Sequence, residues 1–303
     1  MRNRRRGAIG AMMLAVALVA TACSSGDDTT EGPTIVIGAQ DFGESAILAE
    51  IYKGALQNAG FDVRVQPVGG FRDLELGAFA SGDINIAPEY AASMLEFLNS
   101  FSGTATSDKA ETTALLNAEL APLGLIALEP SDAVDTNAFV MTSERSAELG
   151  ITTLSDLASK GADLVLGGPP DCETNAFCLP GLSTVYGVDL ADTFQPLDAG
   201  QITVQALEAG QIDVALLFST SGVIAAKNFV LLDDDRGMLA ADNVVPVMSI
   251  ALEEAYGDAL VDLLDAVSAK LTTADLTAMN KRFDIDNEDA DDIAADWLEQ
   301  NGF

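Results

Sequence analysis

Three pieces of this chain occur twice. "GPTIVIGA" at 32–39 is matched by "GADLVLGG" at 161–168, "VQPV" at 65–68 by "FQPL" at 194–197, and "AFASGDINIAPEY" at 78–90 by "ALEAGQIDVALLF" at 206–218. The offset is 129 residues for the first two pairs and 128 for the third, so one single-residue gap aligns the halves. A repeated order of pieces restricts the fold more than composition does, because each half must then build the same unit. The competing explanation is chance, since Gly before an apolar strand recurs in many α/β folds.

The unit itself can be read from periodicity. "TIVIG" (34–38) is a short buried-strand pattern, and the helix "ESAILAEIYKGALQNAG" places Ile47, Leu48, Ile51, Tyr52, Ala55 and Leu56 on one face before Gly60 stops it. "FDVRVQPV" follows as a second strand, "FRDLELGAFASG" as a second helix and "DINIA" as a third strand that stops at Pro88. Strands alternating with helices at this spacing predict a parallel α/β sheet in each half. At 303 residues and 49% hydrophobic content the chain can fill two cores. The prediction is therefore two α/β lobes with a cleft between them.

In such sheets ligands bind beyond the carboxyl ends of the strands, where helix N-termini point into the crevice. Those ends are "GAQDFGES" (38–45) and "APEYAAS" (87–93) in the first half, and "LGGPPDC" (166–172) and "LFSTSG" (217–222) in the second. Tyr90 and Phe218 are equivalent under the repeat. Two rings facing each other across the cleft is the functional reading, and ordinary core or loop packing is the other.

The N-terminus reads as an address. "MRNRRR" is a basic region and "GAIGAMMLAVALVATA" an apolar stretch ending in small residues before Cys23, so 1–22 resembles a signal peptide of lipoprotein type with Cys23 the expected lipidated residue, an ordinary secretory signal or a retained anchor being the alternatives. The polar "SSGDDTTEGP" after it makes 23–32 a tether. No other stretch is long and apolar enough to span a bilayer. An exported chain matures in an oxidising compartment, so Cys172 and Cys178, six apart in "PPDCETNAFCLPG", are expected to form a disulfide, with two free buried thiols as the alternative.

Histidine is absent. That excludes a Ser-His-Asp triad, a Cys-His pair and a His-ligated zinc centre, and neither a Walker motif nor a GxGxxG fingerprint is present. An enzyme would have to work with carboxylates alone, so binding without catalysis is the expectation, with no metal or cofactor called for. Loss of 1–22 removes four of the 15 basic residues and none of the 47 acidic ones, leaving a balance of 11 against 47. Nucleic acid is excluded as a partner. The charge permits a cationic ligand without indicating one, and a solvated acidic surface is the plainer account of it.

Taken together, "IVIGAQDFGESAILAEIYKGALQNAG", "SGDINIAPEY", "LVLGG" with "CLPGLSTVYGVDL", "ALEAGQIDVALLFSTSG" and "VVPVM" resemble the ProX-like, OpuAC-type substrate-binding proteins of osmoprotectant ABC importers, from about residue 33 to the C-terminus and in the family's order. The resemblance implies an α/β fold of the periplasmic-binding-protein type II kind, two lobes joined by a two-strand hinge. It puts the crossings at "EPSDAVDTNAFVM" (129–141) and "DDDRGMLAADNVVPVM" (233–248), the first lobe at 33–136 plus 240–303, and the second at 137–239. Helices are expected after the second crossing, with Thr273 capping one of them and Trp297 packing the last one down.

The resemblance also implies a ligand site: a cage of aromatic rings around a quaternary ammonium, with basic and hydroxyl groups on the substrate carboxylate. Carried over by position, the cage tyrosine is Tyr90, the hydroxyl three residues on is Ser93 in place of Thr, and the second-lobe ring is Phe218. The remaining positions depart from the pattern. Asn137 follows Asp135 and Thr136 where relatives carry Tyr, Asp242 replaces a second Tyr, Gln40 beside Phe42 replaces a Lys, and the 172–178 loop lacks its basic residue. Two rings and both carboxylate partners are thus unmatched. Asp135 and Asp242 become candidates for attracting a cation, or else are solvated hinge residues, and Gln40 with Ser93 become candidates for a hydroxyl or amide. That pattern suits choline or another polar amine better than glycine betaine.

The expected function is an exported, lipid-anchored solute-binding protein on the outer face of the cytoplasmic membrane. As a monomer, it would close over a quaternary amine and present it to an ABC permease served by a cytoplasmic ATPase. A sensor or binder of another small polar or cationic solute on the same fold is the alternative.

Overall fold

The structure, a computed structural model, describes residues 32–197 and 200–303. The signal segment 1–22, Cys23 and all but the last residue of the tether lie outside the described residues. No helix among those described is long and apolar enough to cross a membrane.

Strands β1 (Ile35–Gln40), β2 (Val63–Gly69), β3 (Ile86–Tyr90), β4 (Leu125–Ala127) and β10 (Val244–Ser249) form one sheet in the order β2-β1-β3-β10-β4. Strands β5 (Asn137–Met141), β6 (Leu166–Gly168), β7 (Gln195–Pro196), β8 (Val214–Phe218) and β9 (Val230–Leu231) form the other, in the order β7-β6-β8-β5-β9. The sequence repeat is visible in these orders: β2-β1-β3 corresponds to β7-β6-β8, and both triplets are parallel. The fourth place in each sheet is filled by the strand that has just arrived from the other half. β10 runs antiparallel to β3, and β5 antiparallel to β8. The sheets are therefore mixed where periodicity predicted parallel ones, because a strand entering from the opposite lobe runs the other way. Periodicity within one half carries no information about that strand.

The third strand also runs further than expected. Pro88 does not end β3, which continues through Glu89 to Tyr90. Pro88 lies opposite Pro246 in the β3–β10 ladder, so neither residue is asked for the amide proton it lacks.

Helix α1 (Gly43–Asn58) lays Ile47, Leu48, Ile51, Tyr52, Ala55 and Leu56 on the first sheet, and the helix at 290–301 covers it from the other side with Ile293, Trp297 and Leu298. Trp297 is core, stacked at 6.0 Å on Phe303. α2 (Arg72–Ser81) and α3 (Ala91–Leu98) begin just beyond the ends of β2 and β3, so their N-termini face the cleft. The second sheet has its own core, in which Cys172 and Cys178 are joined and fully buried beside Leu166, Tyr186 and Met238.

Between the sheets the chain passes twice, after β4 and after β9. The two passages lie side by side: Asp135 donates its amide to the Asp242 carbonyl at 3.1 Å, Val244 donates to Ala133 at 3.0 Å, and Val134 bridges Asn243. Thr272, not Thr273, caps the helix at 273–284, through a capping box with Asp275. The Thr273 hydroxyl is free for another task, and it pins the first passage by accepting the Val134 amide at 2.9 Å. The same helix reaches across to the short helix at 222–226. A Cβ on Gly222 would stand 2.5 Å from Lys281 Cα, so glycine is what allows the two backbones to touch.

Candidate functional site

The cleft is assembled from strand ends, helix N-termini and the two passages. Ala92, Ser93, Thr136, Asn137, Phe177, Ala240 and Asp242 line a small, nearly filled pocket there, with a cavity volume of about 10 Å³. Of the eight predicted ligand residues, Ser93, Asn137 and Asp242 meet in it. Phe177 and its neighbours in the cysteine loop were not singled out by the sequence, although the loop was. The Asn137 amide donates to the Phe177 carbonyl at 3.1 Å, which fixes that loop over the pocket.

Asp242 serves α3. Its Oδ1 accepts the amides of Ala92 and Ser93, each at 2.9 Å, and its Oδ2 accepts the Ser93 hydroxyl. α3 begins directly after a strand, with Tyr90 in the cap position offering no side-chain oxygen, and a carboxylate 150 residues away fills that role. Burial pushes the Asp242 carboxyl up to about 6, against the pull of its Ser93 bonds and of Arg72.

Asp135 is likewise buried. Its Oδ1 accepts from the Ser219 hydroxyl at 3.3 Å and the Thr220 amide at 3.2 Å. Burial raises its carboxyl well above the usual carboxylate range, and the charge of Glu44 raises it further. Neither Asp135 nor Asp242 is a solvated surface residue. Among the described residues neither forms an ion pair with a Lys or Arg.

Gln40 lies one layer deeper. Its Nε2 donates to Glu75 and Glu89, both at 3.0 Å, and Arg72 grips Glu89 with three hydrogen bonds of 2.9 to 3.1 Å. Glu75 and Glu89 have no solvent exposure. Burial and then the charge of Glu89 push the Glu75 carboxyl up to about 9, so Glu75 is a neutral acid at pH 7 and can donate to Glu89. Arg72 balances Glu89, and no net positive charge is left over for a ligand. This network also bonds the Tyr90 amide to Glu89 Oε2 at 2.9 Å, which fixes the backbone where β3 turns into α3.

The rings are arranged differently from a facing pair. Tyr90 is 6% exposed, with Phe42 at 6.2 Å and tilted 32° to it, whereas Phe42 and Phe218 are 40% and 42% exposed at the rim. Phe218 pairs in the sheet with Asn137, so the second-lobe ring and the departed cage position are cross-strand neighbours. The Tyr90 hydroxyl is not free: it donates to Glu44 at 2.6 Å. Burial, before the charges of Glu44 and Asp135, holds that phenol far above its ordinary range, so it stays a donor.

Sequence reasoning passed over Glu44, Thr220, Asn280, Arg72, Glu75 and Glu89. An acid in the first turn of α1 reads as a partner of the helix dipole. The others look like ordinary surface polarity until the fold buries them.

Residues 33–300 match the family model described as the substrate binding domain of ABC-type glycine betaine transport systems. The chain is 27% identical over 283 residues to a glycine-betaine-binding protein of Pseudomonas aeruginosa, covering 89% of each chain. It is 25% identical over 280 residues to the glycine betaine-binding protein YehZ of Escherichia coli, covering 89% of this chain and 91% of that one. A crystal structure described as a glycine betaine/carnitine/choline ABC transporter superposes with a TM-score of 0.73 over 88% of this chain and 98% of that chain, at 21% identity, a likeness of fold.

Proposed function

The chain belongs to the family of substrate-binding domains of ABC-type glycine betaine transport systems, and from that premise we propose that it captures a small quaternary amine of the glycine betaine and choline class between its lobes and delivers it to a permease. It is a binding protein and performs no chemistry. The observation that carries the substrate class is the acidity of the cleft: Asp242 and Asp135 are buried around it, and among the described residues neither is paired with a cation. A carboxylate-bearing ligand would find no cation there, whereas a cation with a hydroxyl finds the acids Asp242 and Asp135 beside polar atoms of Asn137 and Thr136. Choline-like amines therefore fit better than glycine betaine. Phe42 and Phe218 supply exposed ring faces at the rim, and Tyr90 supplies the floor.

We take the lobes as 33–136 plus 240–303 and 137–239. Ligand favours closure because it touches both lobes only when they meet. The protein acts outside the cytoplasm, held by a lipid on Cys23 after loss of 1–22, as a monomer that docks on a permease driven by a separate ATPase. A thermal-shift panel of betaine, choline, carnitine, ectoine, proline and polyamines tests this reading. A shift with quaternary amines is expected, and silence across all of them rejects the substrate class.

A further inference from the structure

Behind the Tyr90 ring, one carboxylate receives donors from three separate segments. Glu44 stands in the first turn of α1 and is 5% exposed. Its Oε1 accepts the Tyr90 hydroxyl at 2.6 Å, at the end of β3. Its Oε2 accepts the Thr220 hydroxyl at 2.6 Å, from the turn after β8 on the other sheet, and also the amide of Asn280 on the helix at 273–284. Thr220 is held from every side: its amide goes to Asp135, and its carbonyl and hydroxyl accept from Asn280 at 3.2 and 3.1 Å. Both Thr220 and Asn280 are buried, so a lost partner is not replaced by bulk water.

We propose that Glu44 is a positioning residue that ties the Tyr90 ring to the second lobe through Thr220, so that ligand affinity depends on a carboxylate the ligand does not touch. The proposal rests on reading the cleft between the lobes as the ligand site. Tyr90 is anchored at two points, by its amide on Glu89 and by its hydroxyl on Glu44. Only the second anchor is shared with the opposite lobe. A change in the position of Thr220 therefore reaches the ring through a single carboxylate, and ordering of the ring by ligand reaches Thr220 by the same route.

The test uses the full chain, with choline as the probe. Glu44→Gln keeps an acceptor for the Tyr90 hydroxyl. Its new amide can donate to the Thr220 hydroxyl oxygen or, if the Asn280 amide turns, to Asn280 Oδ1, a turn that costs the Thr220 carbonyl its donor. This variant is expected to bind choline within about threefold of the native chain, while Glu44→Ala loses about tenfold or more. Equal affinity of the native chain and Glu44→Ala, with only a lower melting temperature, overturns the proposal. A second arm needs no ligand: Tyr90→Phe and Thr220→Val, singly and together, are compared by thermal unfolding. Non-additive losses are expected because both hydroxyls share one carboxylate, and additive losses overturn the proposal. If choline and glycine betaine both leave the native chain unchanged, the substrate reading fails, and this cycle decides the role of Glu44 alone.

Discussion

Asp242 accepts the backbone amide of Ser93 at 2.9 Å and also its hydroxyl, so a residue of the returning passage caps a helix that began 150 residues earlier. The position read as a vacant cage wall is thus part of what holds the passage against the first lobe. Its charge is retained at a cost, because burial raises its carboxyl to about 6.

That cost fixes a sign. A carboxyl raised above its ordinary value contributes stability that is fully present below the ordinary value and is lost as pH rises through the raised one, here between about pH 4 and pH 6. Asp242→Asn keeps an oxygen for both amides and an N–H for the Ser93 hydroxyl, and it removes the buried charge. Its melting temperature at pH 8 is expected to equal or exceed that of the native chain, with the advantage vanishing near pH 4. Its affinity for choline at pH 8 should fall about tenfold, since a desolvated charge is lost. Calorimetric melting and titration at both pH values check this.

Arg72 and Glu89 form a partly buried ion pair whose acid has no access to water. Arg72→Ala leaves that acid unpaired and is expected to destabilise the protein by about 3 to 5 kcal/mol, measured by denaturant unfolding at pH 7. Glu89→Ala also removes the acceptor of the Tyr90 amide and should weaken ligand binding as well as stability.

The cysteine loop offers a different comparison. Cys172 and Cys178 close six residues of separation, and chain entropy for so short a loop gives about 2 kcal/mol. Reduction, or the paired Ser variant, is expected to lower the melting temperature. It should also weaken choline binding, because Phe177 beside Cys178 lines the pocket.

Trp297→Ala serves as the control. It removes a buried ring on the far side of α1, in the core with Ile293 and Leu298. A loss of about 3 to 5 kcal/mol in stability is expected, with choline affinity unchanged as long as the chain remains folded.

Much of the fold was legible because strand and helix periods are local. The repeat placed β1, β2 and β3 opposite β6, β7 and β8, and it correctly aligned the last residue of β3 with the last of β8. What escaped was everything set by the passages. The antiparallel strands β5 and β10 come from the other half, and Pro88 stays within a strand only because Pro246 lies across from it. At the site, position named Ser93, Asn137 and Asp242 as candidates, and the fold brings these three to one pocket. Position gave no sign that Gln40 and Tyr90 are already engaged with Glu75, Glu89 and Glu44, because partners 35 to 49 residues apart leave no local pattern. Asn280 lies 236 residues from Glu44 and is the extreme case.

The proposed cation site in the cleft has no positive charge to spare for a carboxylate. Isothermal titration of the native chain with choline and with glycine betaine, at pH 8 and low salt, tests it most directly. Choline is expected to bind, and to bind more tightly than glycine betaine. Tighter binding of glycine betaine, or binding of neither, would contradict it.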